Sequence, residues 1–312
     1  MFACRFPTLL RAQRALVAVF CAAWLCGGAQ AAGLTVLMAD ETAAHAEFVR
    51  QLRDAQEADS RFDLIHLAAG ESSLDEHAPG ITMAVGMSAA RSAIERPGQD
   101  PLVLAMLSRL DYESLKATPA LRRPERQIGV LLREPAMADQ LALIDALLPA
   151  KRRVGVVATA ESEPIVSELL RAGQGWDLQV EYAPDAKSLA VVLRLLVSRS
   201  DALLVLPDKI GDSQAATLAV LRAGASAGLP VFGTSDGLVR SGGLAAMVAT
   251  PAQLARQAQS LGRKLEASGT APGVRVEVAA PATVRVNTTV ARGLGLRLPD
   301  ERELTARVSA LR

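Results

Sequence analysis

Aromatic residues make up only 3% of the 312-residue chain, and cysteine occurs three times, at Cys4, Cys21 and Cys26. So few rings disfavour a sugar-binding site, which relies on aromatic stacking platforms. With every cysteine in the first 26 residues, the rest of the chain has neither disulfides nor a thiol nucleophile, and its stability must come from an apolar core. An excess of charge is also lacking. The 34 Lys and Arg residues stand against 33 Asp and Glu, a net charge of +1 that offers no broad electrostatic footprint for nucleic acid. What is present is a globular composition, 50% hydrophobic and 21% charged, which excludes fibrous and charge-expanded disordered classes.

The amino-terminal segment reads as a secretory leader. Arg5, Arg11 and Arg14 give a positive start, Ala15 to Leu25 is an apolar run, and Ala29-Gln30-Ala31 provides the small-x-small pattern for cleavage after Ala31. The run is well short of the roughly 20 residues needed to span a bilayer. Cleavage removes all three cysteines. Lipidation at Cys26 is the lesser alternative, because Ala23-Trp24-Leu25 does not form the usual lipoprotein pattern before the cysteine. The compartment expected is a bacterial periplasm.

Beyond residue 31, short apolar runs alternate with segments of helical period. Leu34 to Ala39 is a candidate strand, and the following Ala44, Phe48, Leu52 and Ala55 recur at spacings of four and three on one helical face. Phe62 to Leu67, Ile81 to Val85 and Leu102 to Leu107 continue as strands, with Ser88 to Glu95 as a helix. A second series opens after Pro149-Ala150-Lys151-Arg152-Arg153, with strands at Val154, Leu178, Ala202, Pro230 and Ala245 separated by helices. Strands that are apolar throughout suit parallel sheets covered on both faces. The fold class expected is α/β, with two Rossmann-like lobes of parallel sheet. The boundaries expected are 1–31 for the leader, 32–126 for the first lobe and 127–273 for the second lobe with its crossover, part of 274–312 returning to the first lobe or the hinge.

Several stretches resemble a known family. Leu143 to Val156, with its helix-Pro-basic-strand junction, resembles the ABC transporter substrate-binding proteins of the tryptophan/tyrosine-binding type. Asp201 to Asp208, Gly228 to Ser235 and Val239 to Leu244 are similar to that family's second-lobe strand ends, and Val284 to Asn287 with Gly293 to Pro299 to its closing segment. The resemblance implies the type I periplasmic binding-protein fold, closure around a small ligand, and an ABC permease as partner. In the first lobe the sequence departs from the family pattern: Gly86-Met87-Ser88-Ala89 replaces a Gly-Thr turn, Asp111-Tyr112 an Asp-Pro turn, and Gln127-Ile128-Gly129 the element that opens the crossover.

Ligands of doubly wound domains bind at the carboxyl ends of the strands. Gly86 and Ser88 occupy a strand-to-helix turn whose backbone N–H groups either hold a carboxylate or form an ordinary helix start. Asp111 occupies the corresponding place after the next strand. Thr159, Glu161 and Ser162 form the equivalent turn of the second lobe, readable also as a capped, acid-rich first turn. Asp208, after strand Ala202 to Leu206, is the leading candidate for accepting from an ammonium or hydroxyl group; Ser235 and Asp236 follow the neighbouring strand, or are only a turn. His45, His66 and His77 lack metal-site spacing, and there is no G-x-S-x-G elbow, phosphate loop or dinucleotide fingerprint, so no catalytic residue, metal or cofactor is expected.

The function expected is therefore a monomeric, non-enzymatic periplasmic receptor that captures a small polar ligand for an ABC permease. The alternatives are a sensory or adaptor protein that keeps the fold, and a carboxylate-based hydrolase. Amino-terminal sequencing of the protein from a periplasmic extract is expected to start at Ala32; a chain still beginning at Met1 would remove the leader assignment.

Overall fold

The computed structural model describes residues 33–56, 61–66, 80–122, 124–268, 271–280 and 282–310. The expected leader with its cysteines, and His77, lie outside the described residues. The first elements are β1 (Gly33–Met38), α1 (Ala43–Asp54), β2 (Phe62–His66), β3 (Gly80–Val85), α2 (Met87–Ile94), β4 (Leu102–Leu107), α3 (Arg109–Lys116), α4 (Pro119–Arg122) and β5 (Gln127–Leu132). There follow α5 (Met137–Leu147), β6 (Arg153–Ala158), α6 (Glu163–Ala172), β7 (Asp177–Tyr182), α7 (Ala186–Val197), β8 (Ala202–Val205), α8 (Lys209–Asp212), α9 (Gln214–Ala227), β9 (Val231–Gly233), α10 (Asp236–Arg240) and β10 (Ala245–Val248). Last come α11 (Pro251–Ala267), β11 (Gly273–Glu277), β12 (Thr283–Val286), α12 (Thr288–Gly293) and α13 (Glu301–Ala310). Among the described residues, no helix is long and apolar enough to cross a membrane.

The strands form two six-stranded sheets. The first has the order β11-β5-β4-β3-β1-β2 with every neighbouring pair parallel. The second has the order β12-β10-β9-β8-β6-β7, parallel except where β12 runs antiparallel to β10. Both sheets are covered on two faces, which is why β4 and β5 are buried along their whole length. In the first lobe, Phe48 and Leu52 of α1 and Leu254, Leu261 and Leu265 of α11 form one core cluster. Ala90 and Ala93 of α2, Leu115 and Leu121 form the other. In the second lobe, α5, α6 and α13 cover one face through Ile144, Leu169 and Leu304, and α7 and α9 the other through Leu193, Leu196 and Val220. Each fully buried Leu or Phe contributes about 1.5–3 kcal/mol of transfer free energy.

Lobe membership differs from the boundaries drawn on the sequence. β5, expected to open the second lobe, is an interior strand of the first sheet, and α11 packs on the first sheet although it follows five second-lobe strands. Residues 283–310 build the second lobe. Strand partners are chosen by contacts distant in sequence, and an apolar run such as Ile128 to Leu132 fits between neighbours in either sheet.

The chain thus crosses between the lobes three times, after β5, after β10 and after β11. Three glutamines stitch these crossings. Gln140, 1% exposed, donates from Nε2 to the Met247 carbonyl (2.9 Å) and accepts from the Met247 N–H at Oε1 (3.1 Å). Gln257 donates to the Val278 carbonyl (2.8 Å) and accepts from the Ala280 N–H (2.9 Å). Gln253 donates to Thr283 Oγ1 (3.0 Å) while its own Oε1 accepts from the Thr250 N–H (2.8 Å). Gln140→Ala would leave both backbone groups of Met247 unsatisfied, and the expected cost in urea unfolding is about 1–3 kcal/mol; an unchanged midpoint would show that the stitch is dispensable.

Candidate functional site

The carboxyl ends of the first-sheet strands face the second lobe. Arg109, at the start of α3, donates to Glu168 of α6 at 2.6 Å, and the neighbouring Leu110 packs against the second-lobe core. Glu168 also accepts from the Met137 N–H that opens α5 (3.0 Å). Glu134, buried at the end of β5, accepts from the Arg109 N–H at 3.1 Å and from Arg133 Nε at 2.9 Å. Helices therefore start at this interlobe face, where their first N–H groups lack intrahelical partners and the helix dipoles are positive.

Most of these starts are capped from within the protein. Ser108 accepts from the Asp111 N–H (3.0 Å) while Asp111 accepts from the Ser108 N–H (2.8 Å), a reciprocal capping box that gives Asp111 a structural partner. Ser235 accepts from the Leu238 N–H (3.1 Å) and keeps its own proton free to donate. Asp236 pairs with Arg240 and lies 3.9 Å from Arg285. Glu161 pairs with Lys209 at 2.6 Å, both side chains being exposed.

Asp208, only 1% exposed, accepts from the N–H groups of Ile210 (2.9 Å) and Gly211 (3.1 Å) and from the Ser162 hydroxyl. Thr159 Oγ1 lies 2.9 Å from Ser162 Oγ. Because the Ser162 proton goes to Asp208, Thr159 donates in that contact. Burial pushes the Asp208 carboxyl up, against the opposing pull of Ser162 and the two backbone donors. The residue that leads the sequence reading is therefore an internal cap with both oxygens engaged; it braces the end of β8 instead of presenting a free acceptor.

The start of α2 differs. Its N-cap is Gly86, with φ +82° and no side-chain capping bond, and Ser88 is exposed in the first turn. Glycine is needed here twice over, because a Cβ would also come within 2.6 Å of His45 Cε1. The His45 ring is fixed against this turn by a 2.9 Å contact between Nδ1 and the Asp40 carbonyl. On the adjacent strand a register shift places the buried Met106 at φ 61°, a strained bulge at the carboxyl end of β4.

The structure thus gathers Thr159, Glu161 and Asp208 at the ends of β6 and β8, puts Ser235 and Asp236 after β9, and sets Gly86, Ser88 and Asp111 after β3 and β4. Sequence reasoning missed Arg109, Arg133, Glu134 and Glu168. The signal for Arg133 was a cation directly after a wholly apolar run at the first crossover. Burial pulls its guanidinium pKa down, but Glu134, and then Asp212 and Asp111, raise it by more, so it stays charged between the lobes. Trp176 lies at the amino end of β7, away from this face, with the Arg152 guanidinium 4.8 Å from its ring centroid. Among the described residues there is no cluster of His, Cys, Asp and Glu fit to hold a metal ion.

This geometry is that of a two-lobed α/β binding protein, the type I periplasmic binding-protein fold. The sequence model of the family described as ABC transporter substrate binding protein matches residues 50–308, and the chain belongs to that family. Three solved structures share the fold. A domain from Streptococcus pneumonia in complex with L-Trp is 16% identical, with TM-score 0.55 over 86% of this chain and 96% of that one. A ligand-free, open substrate-binding protein with adhesive properties from Clostridium difficile is 15% identical, with TM-score 0.68 over 86% and 96%. A conserved domain protein from Vibrio cholerae is 19% identical, with TM-score 0.57 over 89% and 98%. No curated protein matches significantly.

The cap assignment of Asp208 predicts that Asp208→Ala lowers stability by about 1–2 kcal/mol, whereas Asp208→Asn, which still accepts from both amides, loses less. A carboxyl whose pKa is raised by folding favours the folded state below its unfolded pKa and loses that contribution as pH rises through the folded value. The stability of the wild type relative to Asp208→Asn, followed by urea unfolding from acid to neutral pH, is expected to fall as pH rises; a rising difference would contradict the burial of this charge.

Proposed function

We propose that this chain is an exported, non-enzymatic receptor that captures a small polar ligand between its lobes and delivers it to an ABC permease. The observation that carries the reading is the uncapped start of α2, where the Gly86 turn and the exposed Ser88 leave backbone donors without a side-chain partner on the interlobe face. A carboxylate or similar anionic group satisfies such donors and the helix dipole together. From the second lobe, the Ser235 hydroxyl has a proton to donate and Thr159 has lone pairs to accept, so a ligand held by both sides favours the closed arrangement through its differential affinity. A relative in the same fold binds L-Trp, which supports an amino-acid-like molecule as the class to test first.

Calorimetry against amino acids, small organic acids and nucleosides is expected to give saturable binding to at least one anionic member. Ser88→Ala and Ser235→Ala are each expected to weaken it by about five- to tenfold, the loss of roughly 1–1.5 kcal/mol per hydrogen bond. Absence of binding across the panel would favour the adaptor alternative, and turnover of a member would favour the hydrolase.

A further inference from the structure

The two helices on the outer face of the second sheet have an unusual surface. Neither α7 nor α9 contains an acidic residue, and their only charged side chains are Lys187, Arg194 and Arg222. None of the three has a hydrogen bond or ion pair among the described residues. α7 is apolar on both sides: Leu189, Leu193 and Leu196 are buried inward, while Val191 and Leu195 are 49% and 52% exposed outward. A helix that is hydrophobic all round is ordinarily covered on all sides, and exposed apolar surface rimmed by polar groups marks a contact site.

Between the two helices runs a groove of about 470 Å³. On α7 it is lined by Ala190, Leu193, Arg194 and Val197, spaced three, one and three residues apart along a single helical face. On α9, Ala219, Ala223 and Ala227 repeat every four residues beside Arg222. The alanines make a floor low enough for a third helix to reach the 8–10 Å interaxial distance of ridge-and-groove packing, and the two arginines flank it as unpaired cations.

We propose that this groove receives an α-helix of a partner protein, one with an apolar stripe flanked by acidic residues. Charge complementarity and concavity select this occupant. A second copy seated by a two-fold axis would set groove against groove and arginines against arginines, with no acid on either helix to neutralise them. A lipid surface would leave the concave floor unfilled. The groove lies on the outer helix layer, so the site is separate from the interlobe face and the inference stands apart from the ligand reading.

The test uses two fluorescent helical peptides with the same Ala/Leu stripe, one flanked by Glu and one by Lys, titrated into the whole mature protein and into the double variant Arg194→Glu, Arg222→Glu. The expected result is that the wild type binds the Glu-flanked peptide at least about tenfold more tightly, with the preference reversed in the double variant. Equal binding of both peptides, or binding of neither, overturns the proposal. A concentration-dependent dimer in sedimentation that Ala190→Glu abolishes would overturn it by making a second copy the occupant. Binding to phosphatidylglycerol vesicles that the double variant abolishes would do so in favour of lipid. An unchanged thermal midpoint of each variant confirms that the surface, and not the fold, was altered.

Discussion

Unpaired amide groups at the starts of helices are the constraint on which this molecule turns. A parallel sheet sends the carboxyl end of each strand toward the same edge, and the helix that follows begins there with N–H groups that have no partner in their own backbone. Two such sheets facing one another concentrate this deficit in a single interlobe space. The protein meets most of it internally, through Ser108 with Asp111, Asp208 with Ser162, and Ser235. At Gly86 it supplies no side-chain cap.

The same space contains the parts that join the lobes. Arg109 reaches across to Glu168, and Glu134 ties the start of α3 to the end of β5. Behind them the glutamine bonds hold the three crossings together in the buried or half-buried interior. The His45 ring, held by the Asp40 carbonyl, packs on Gly86 and fixes the turn that opens α2.

A second asymmetry concerns the outside of the molecule. Elsewhere some exposed cations are paired, as Arg153 is with Asp201, where the arginine and its hydrogen bonds hold the aspartate at about 2, and others, such as Arg171 and Arg256, have no ion pair among the described residues. The α7–α9 surface has cations without acids and aliphatic side chains without cover. Folding alone does not require that pattern, since the inward faces of both helices already complete the core on that side of the sheet.

Much of the architecture was legible in the linear order of residues. Continuous apolar runs such as Leu102 to Leu107 identify buried strands because period-two alternation is lost when both sheet faces are covered, and Ala44, Phe48 and Leu52 mark a helix because they share one face. Hydroxyl and carboxylate residues at strand ends are also legible there, since turns and caps select those types. What the linear order left open was which sheet takes a given strand and which way a polar side chain is committed. β5 lies inside the first sheet because the distant β11 pairs on its far side, α11 packs there on partners more than a hundred residues away, and Asp208 is closed to solvent because Ser162 and its own helix start surround it. Local pattern determines the elements, since propensity and periodicity act over a few neighbours; the pairing of distant segments and the competition among nearby donors for one acceptor exist only once the chain is folded.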